Sequence, residues 1–452
     1  MTSSPSPQLR HPRLVLAVAL ILGVAVMLGL LELGLRLVAP YGVVSVGWTT
    51  SGNGQLYGWG FDDGEMQVVR DADSGQLYLN RANPRGWRDL PRSFDKPDGM
   101  FRVLVLGDSN IFGYLVPADK TVTRQLEDKL NAQGIKAEVI NLSYSGWGTD
   151  QEVEALRLEG MRYRPDVVVL HVTGNDFVDN FHWQLDGKFG RRRPFYYRVG
   201  DDGEAERQPN PNYKIPTNTR IKEFWFRHSE LVKRVYTGWK TFLALRKSKY
   251  ELSRGQVELI GYYLGQDAQA PVMVDLAALV DRQGVTEEQL AELATRHDLN
   301  DEQRESVLRM AERVNSQEGS TEGMYKARME IAAPHWQLFA ALVRAAKAEA
   351  GRGGAKLLLS TDVDEGRWTR EMFWHNVEPS SEAKQRYFAL NDDLRRLAAE
   401  TDVGFVEPLL PAPRARNDAH PTVAGNAAIA ENILTALKTQ GLVPVELVPV
   451  GK

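Results

Sequence analysis

The chain has 452 residues, of which 43% are hydrophobic and 25% charged, an ordinary globular composition for two or three domains. A formal net charge of −4 supplies no basic field for nucleic acid, and the complete lack of cysteine excludes disulfides, thiolate metal sites and a cysteine nucleophile. The eight histidines show no HExxH-type spacing, so neither a metal nor another cofactor is expected.

The first 40 residues differ from everything after them. Residues 14–31, LVLAVALILGVAVMLGLL, form an uninterrupted apolar run, and residues 33–38 extend it far enough to cross a bilayer core of about 30 Å. Arg10, His11 and Arg13 precede the run, which by the positive-inside rule holds the N-terminus in the cytoplasm and sends the bulk of the chain across the membrane. The competing reading is a cleavable signal peptide. Against it stand the length of the run and the lack of an A-x-A site, so an uncleaved, single-pass anchor over residues 1–40 is expected. Glu32 and Arg36, four apart, should pair on one helix face.

Residues 41–100, rich in Gly, Asp, Asn and Trp, read as an irregular, partly stranded lead-in. A regular alternation then begins. The apolar run 103–106 predicts a strand buried on both faces, followed by a helix over 118–133 and a strand over 137–142. A helix over 150–163 and a third strand over 165–172 complete the part 101–180. From about 181 to 333 no strand of this buried kind follows. That insertion carries a basic, aromatic loop, GKFGRRRPFYYRV, and amphipathic helical pieces at 286–299 and 301–314. The alternation resumes over 334–440, with helices at 335–350, 381–400 and 421–438 and strands at 355–360 and 403–408. Five short apolar strands alternating with helices predict a doubly wound α/β domain, a parallel sheet between two helical layers, with a large, mainly helical insertion.

Four short motifs fall at strand ends or a helix start: GDSN with Ser109, NLSYSGWGTDQ with Gly146, VTGNDFVDN with Asn175, and NDAHPTVAGN with Asp418 and His420. Each has a purely structural explanation. Ser109 would cap a helix, Asn175 and Asp176 would make an Asx turn, and His420-Pro421 would open a helix. Asp108 and Asp176 read as loop hydrogen-bonders. Together and in this order, the four motifs resemble the blocks of the SGNH (GDSL-type) hydrolase superfamily, over about 200 residues of the chain.

The resemblance implies a flavodoxin-like three-layer α/β/α fold and a serine esterase. It makes Ser109 the nucleophile, His420 the base and Asp418 its partner, with the N–H groups of Ser109 and Gly146 and the amide of Asn175 as the oxyanion hole. The family usually spaces its acid and base as Asp-x-x-His; here Asp418-Ala-His420 is one residue shorter, and Asn417 stands at the longer spacing. Asp418 is expected to face the imidazole, because a carboxylate stabilises an imidazolium and an amide does not. Location and family analogy imply an acyl ester, foremost acetyl, on a cell-envelope or extracellular glycan, with envelope polysaccharide machinery as a partner. Two alternatives use the same residues: an O-acetyltransferase acting on an exported polysaccharide, and a non-catalytic glycan-binding protein on the same scaffold. Lipase or thioesterase action lacks any lid motif. Trp147, Phe181, Trp183, Phe195, Tyr196 and Tyr197 read as packing before substrate contact, GRRRP as a solvated loop, and His171, His182 and His335 as structural.

Overall fold

The computed structural model describes residues 12–38, 52–61, 66–70, 77–184, 190–235, 249–250, 270–280, 285–300, 331, 333–361, 363, 381–414 and 420–444. Asn417, Asp418 and the helical piece expected at 301–314 lie outside the described residues. By its contacts the chain forms two units: residues 1–44 with 216–247, and residues 45–215 with 248–452.

In the first unit, α1 (Pro12–Val38) is a single helix, apolar without a break from Leu14 to Leu31, and the stretch Arg13–Val38 is long and apolar enough to cross a membrane. Arg36 Nε donates to Glu32 Oε1 at 2.7 Å, the expected pair one turn apart. Helix α7 (Thr217–His228) completes this unit's named elements.

The second unit holds the sheet. Strands β3 (Phe101–Gly107), β4 (Ala137–Ser143), β5 (Val167–Val172), β10 (Lys356–Thr361) and β11 (Gly404–Val406) pair in the order β11-β10-β5-β3-β4. All four pairings are parallel. Numbered along the chain this is the order 2-1-3-4-5, whose topological switch point lies between the first and third strands, here β3 and β5. The side chains of β3 alternate between two cores. Val103 and Val105 join Val139, Val167 and Val169 beneath α4 (Val122–Ala132) and α12 (Val423–Thr439). Leu104 and Leu106 join Leu142, Val168 and Leu170 beneath α5 (Thr149–Leu158), α10 (Ala333–Arg352) and α11 (Ser381–Glu400). A strand buried on both faces cannot alternate with polar residues, which is why these strands read as continuous apolar runs.

Two regions refine the reading from sequence. The lead-in contains α2 (Gly52–Tyr57) and the antiparallel pair β1 (Met66–Arg70) and β2 (Leu77–Arg81), and its Tyr57, Trp59, Phe61 and Trp87 are buried in the main core. The insertion opens with an antiparallel hairpin, β6 (Phe195–Val199) on β7 (Ala205–Pro209), whose Phe195 and Tyr197 enter that same core. Among its other described elements are α7, the short β8 (Lys249–Tyr250) and β9 (Val285–Thr286), α8 (Pro271–Val280) and α9 (Glu287–Arg296).

Candidate active site

Because every strand of the sheet is parallel, all carboxyl ends share one edge, and Ser109, Gly146 and Asn175 follow strands there. Ser109 follows β3 by one residue and begins α3 (Ser109–Phe112), a single helical turn. Asp108 caps that turn, its Oδ1 accepting from the Asn110 N–H at 2.9 Å. Gly107 is a place of close approach: a Cβ there would stand 2.5 Å from Ile111 Cγ1, so only glycine lets α3 fold back against the strand.

Asp108 is the buried hub beneath the serine. Its Oδ2 accepts from Asn175 Nδ2 at 3.0 Å and from Thr173 Oγ1 at 3.1 Å, with Ser109 Oγ at 3.4 Å. Thr173 and Asn175 follow β5, on the far side of the switch point, so this carboxylate ties the two halves together. Asp176, the first residue of the short α6 (Asp176–Asp179), closes the same loop, accepting from the Thr173 N–H at 2.8 Å. Both aspartates act as the loop hydrogen-bonders expected of them.

Asn175 Nδ2 also donates to Asp179 Oδ2 at 2.9 Å. Both of its amide hydrogens therefore point at carboxylates, and the side chain is part of the floor.

Gly146 sits in the β4–α5 loop at φ 75°, a left-handed conformation that an L side chain rarely adopts. A Cβ there would meet nothing within 4 Å of the protein, so the left-handed backbone is what calls for glycine here. Trp59 grips this loop, its Nε1 donating to the Ser145 carbonyl at 3.0 Å while its own carbonyl accepts from Trp147 Nε1 at 3.2 Å. Trp147 is fully buried against Tyr57 and edge-on to Trp87, which makes it core.

His420 enters from the other end of the chain, just ahead of α12. Its ring lies 4.9 Å from that of Tyr114, centroid to centroid, and the Tyr114 N–H donates to the Ser109 carbonyl at 3.2 Å. The histidine is thereby placed beside the serine's own turn. Ser109, Gly146, Asn175 and His420 are all half-buried, whereas Asp108, Asn110, Thr173 and Asp176 beneath them are buried. The four singled-out residues are the ones that reach the surface. Among the described residues, the N–H groups of Ser109 and Gly146 form no hydrogen bond.

Charge below the site is heavily buried. Arg193 is fully buried and donates to the Asp179 carbonyl at 2.8 Å and, closely, to Asp150 Oδ2. It lies inside GRRRP, so that segment is no freely solvated loop. Burial pushes the Asp150 carboxyl upward, against the opposing pull of Arg193. Glu152 is also fully buried, and neither of its oxygens has a hydrogen-bond partner among the described residues. Burial pushes its carboxyl well above the usual range, and the negative charges of Asp176, Asp108, Asp150 and Asp179 push it further.

Arg88 carries no sequence signal and yet holds the serine's turn, donating to the Phe112 carbonyl at 2.8 Å and closely to those of Gly113 and Val116. Desolvation lowers its guanidinium to about 9, which leaves it charged at neutral pH. His171 Nδ1 lies 3.0 Å from Ser360 Oγ, His182 Nε2 lies 3.1 Å from Asp179, and the His335 ring packs on Phe181.

No family model matches the sequence, and no curated protein does. Solved structures that it resembles include TesA, at 12% identity over 75% of this chain and 98% of that one with a TM-score of 0.32. A second is the psychrotrophic esterase EstA from Pseudoalteromonas sp., at 11% identity over 75% and 97% with a TM-score of 0.29. A third is a catalytic mutant of Axe2, an acetylxylan esterase from Geobacillus stearothermophilus, at 11% identity over 78% and 97% with a TM-score of 0.33.

Proposed function

We propose that this chain is a membrane-anchored serine esterase of the SGNH type that removes acyl groups, acetyl foremost, from a glycan outside the cytoplasmic membrane. One observation carries the reading: Ser109 stands at the topological switch point of a 2-1-3-4-5 sheet, and His420 packs on the tyrosine hydrogen-bonded to that serine's own turn.

Each residue type suits its task. A serine hydroxyl becomes a useful nucleophile when a positioned base takes its proton, and neutral imidazole does so near pH 7. His420 is that base and later returns the proton to the departing alkoxide. Asp418 orients the imidazole and stabilises its cation. The attack puts negative charge on the ester carbonyl oxygen, and the N–H groups of Ser109 and Gly146, both without a partner among the described residues, receive it. Asn175 joins them in the substrate complex by exchanging its bond to Asp108 for one to the oxyanion. Catalytic hydrogen bonds often tighten only in such complexes. The glycan and the acetyl group rest on the envelope location that α1 and its flanking cations support.

The test is hydrolysis of p-nitrophenyl acetate by the full-length chain in detergent, with Ser109→Ala prepared in parallel. The variant should retain its fold and lose activity by at least about 10³-fold. Equal rates in two folded proteins would overturn the esterase reading.

A further inference from the structure

The exposed side of α7 reverses the usual arrangement. Ile221, Phe224, Trp225 and His228 lie three or four apart, on one helix face, and all are exposed; Glu223 and Phe226 are buried on the opposite side. Ile221 is 53% exposed, Phe224 54% and Trp225 50%, and Phe224 meets both Trp225 and His228 ring to ring. Apolar residues at helical spacing ordinarily turn inward. Basic residues flank the face, with Arg220 and Lys222 exposed beside it.

This surface is tied to a fixed level of α1. Glu32 Oε2 accepts from Ser229 Oγ at 2.9 Å and from the Leu231 N–H at 3.0 Å, and its Oε1 accepts from the Glu230 N–H at 2.9 Å. Arg36 donates closely to the His228 carbonyl, the last residue of α7. Counting from Leu14, about 20 residues at 1.5 Å each span a bilayer core of about 30 Å, which sets Glu32 at its outer boundary and Arg36 in the headgroup layer. A glutamate at that depth is costly unless its oxygens are satisfied. The start of the helical residues 230–235 satisfies them, and in doing so fixes the last turn of α7 at the same level.

We propose that Ile221, Phe224 and Trp225 form a membrane-interface surface, seated in the boundary between headgroups and acyl chains of the leaflet from which α1 emerges. The proposal rests on the reading of α1 as an anchor. Trp and Phe suit that boundary because an apolar ring gains from the acyl region while polar groups stay hydrated, and flanking cations meet lipid phosphates.

The chain has no cysteine, so a single introduced one gives a unique label. Full-length protein carrying Ile221→Cys, Phe224→Cys, Trp225→Cys or, as a reference within α1, Val24→Cys is labelled with an environment-sensitive fluorophore. Each variant is reconstituted in nanodiscs of phosphatidylcholine and phosphatidylglycerol, with and without nitroxide lipid labelled near the headgroup. At 221, 224 and 225 the nitroxide lipid should quench emission and soluble iodide should not. Quenching by iodide alone at these three positions, with Val24→Cys embedded, overturns the interface and leaves the anchor standing. Protection from both quenchers shows that protein covers the face and also overturns it. A Val24→Cys label open to iodide overturns the anchor, and the interface falls with it.

Discussion

Ser109 and His420 reach one edge of the sheet by unlike routes. The serine's turn is gripped from far along the chain: Arg88 takes the carbonyls that end α3, Asp108 binds across the switch point, and the lead-in packs Phe61 against Phe112 and Tyr144. These groups are buried, so each is part of the fold before it is part of the site. The histidine stands at the surface beside a half-exposed tyrosine, at the end of a stretch that includes Asp418. Damage around the serine should therefore register first as lost stability, and damage around the histidine as lost catalysis in an intact protein. Substitutions that separate stability from rate test this contrast directly.

The largest effect belongs to the histidine side. Asp418→Asn should lower kcat by about 10⁴-fold, because an amide leaves the imidazole in the wrong tautomer, and the melting temperature should hardly move. Asn417→Ala should leave kcat near wild type. If the two variants exchange behaviour, Asn417 is the residue that faces the ring.

On the serine side, Arg88→Met should cost about 3 kcal/mol in denaturant unfolding, since it leaves buried carbonyls without a charged donor. Turnover per folded molecule should fall less than stability does. A variant as stable as wild type would show that α3 does not depend on this clamp.

Tyr114→Ala is smaller and returns to the histidine. A ring pair of this kind contributes about 0.5–1.5 kcal/mol, so kcat should drop by up to about tenfold with KM unchanged. Tyr114→Phe keeps the ring pair, so the step from Tyr114→Ala to Tyr114→Phe reads the contribution of the rings.

The contrast also explains what the sequence made legible. The strands were visible because burial on both faces leaves unbroken apolar runs such as 103–106 and 167–170, and the motifs were visible because each lies next to such a run. Strand order was not, since parallel pairing leaves no local trace. Arg88 and Arg193 were missed for a related reason: a buried arginine is chosen by partners dozens of residues away, as Arg193 is by Asp150, and nothing adjacent announces it. The β6–β7 hairpin did leave a signal, with Phe195 and Tyr197 buried on one face, but its aromatic and basic neighbours read more readily as a loop.

Glu152 gives the smallest effect on rate and the clearest sign in pH. Its carboxyl sits well above the ordinary range in the folded protein, so the native state keeps a proton that the unfolded chain gives up above about pH 4.5. Stability then falls as pH rises through that window, because the unfolded state binds fewer protons there. Glu152→Gln keeps the shape and removes the titration. The two proteins should melt nearly together at acid pH and separate as pH rises, with the variant the more stable and its activity within about twofold of wild type. Thermal unfolding followed from pH 4 to 8 checks this. A difference independent of pH would mean that Glu152 is ionised in the fold, held by a partner outside the described residues, and that the floor of the site carries more charge than its burial permits without one.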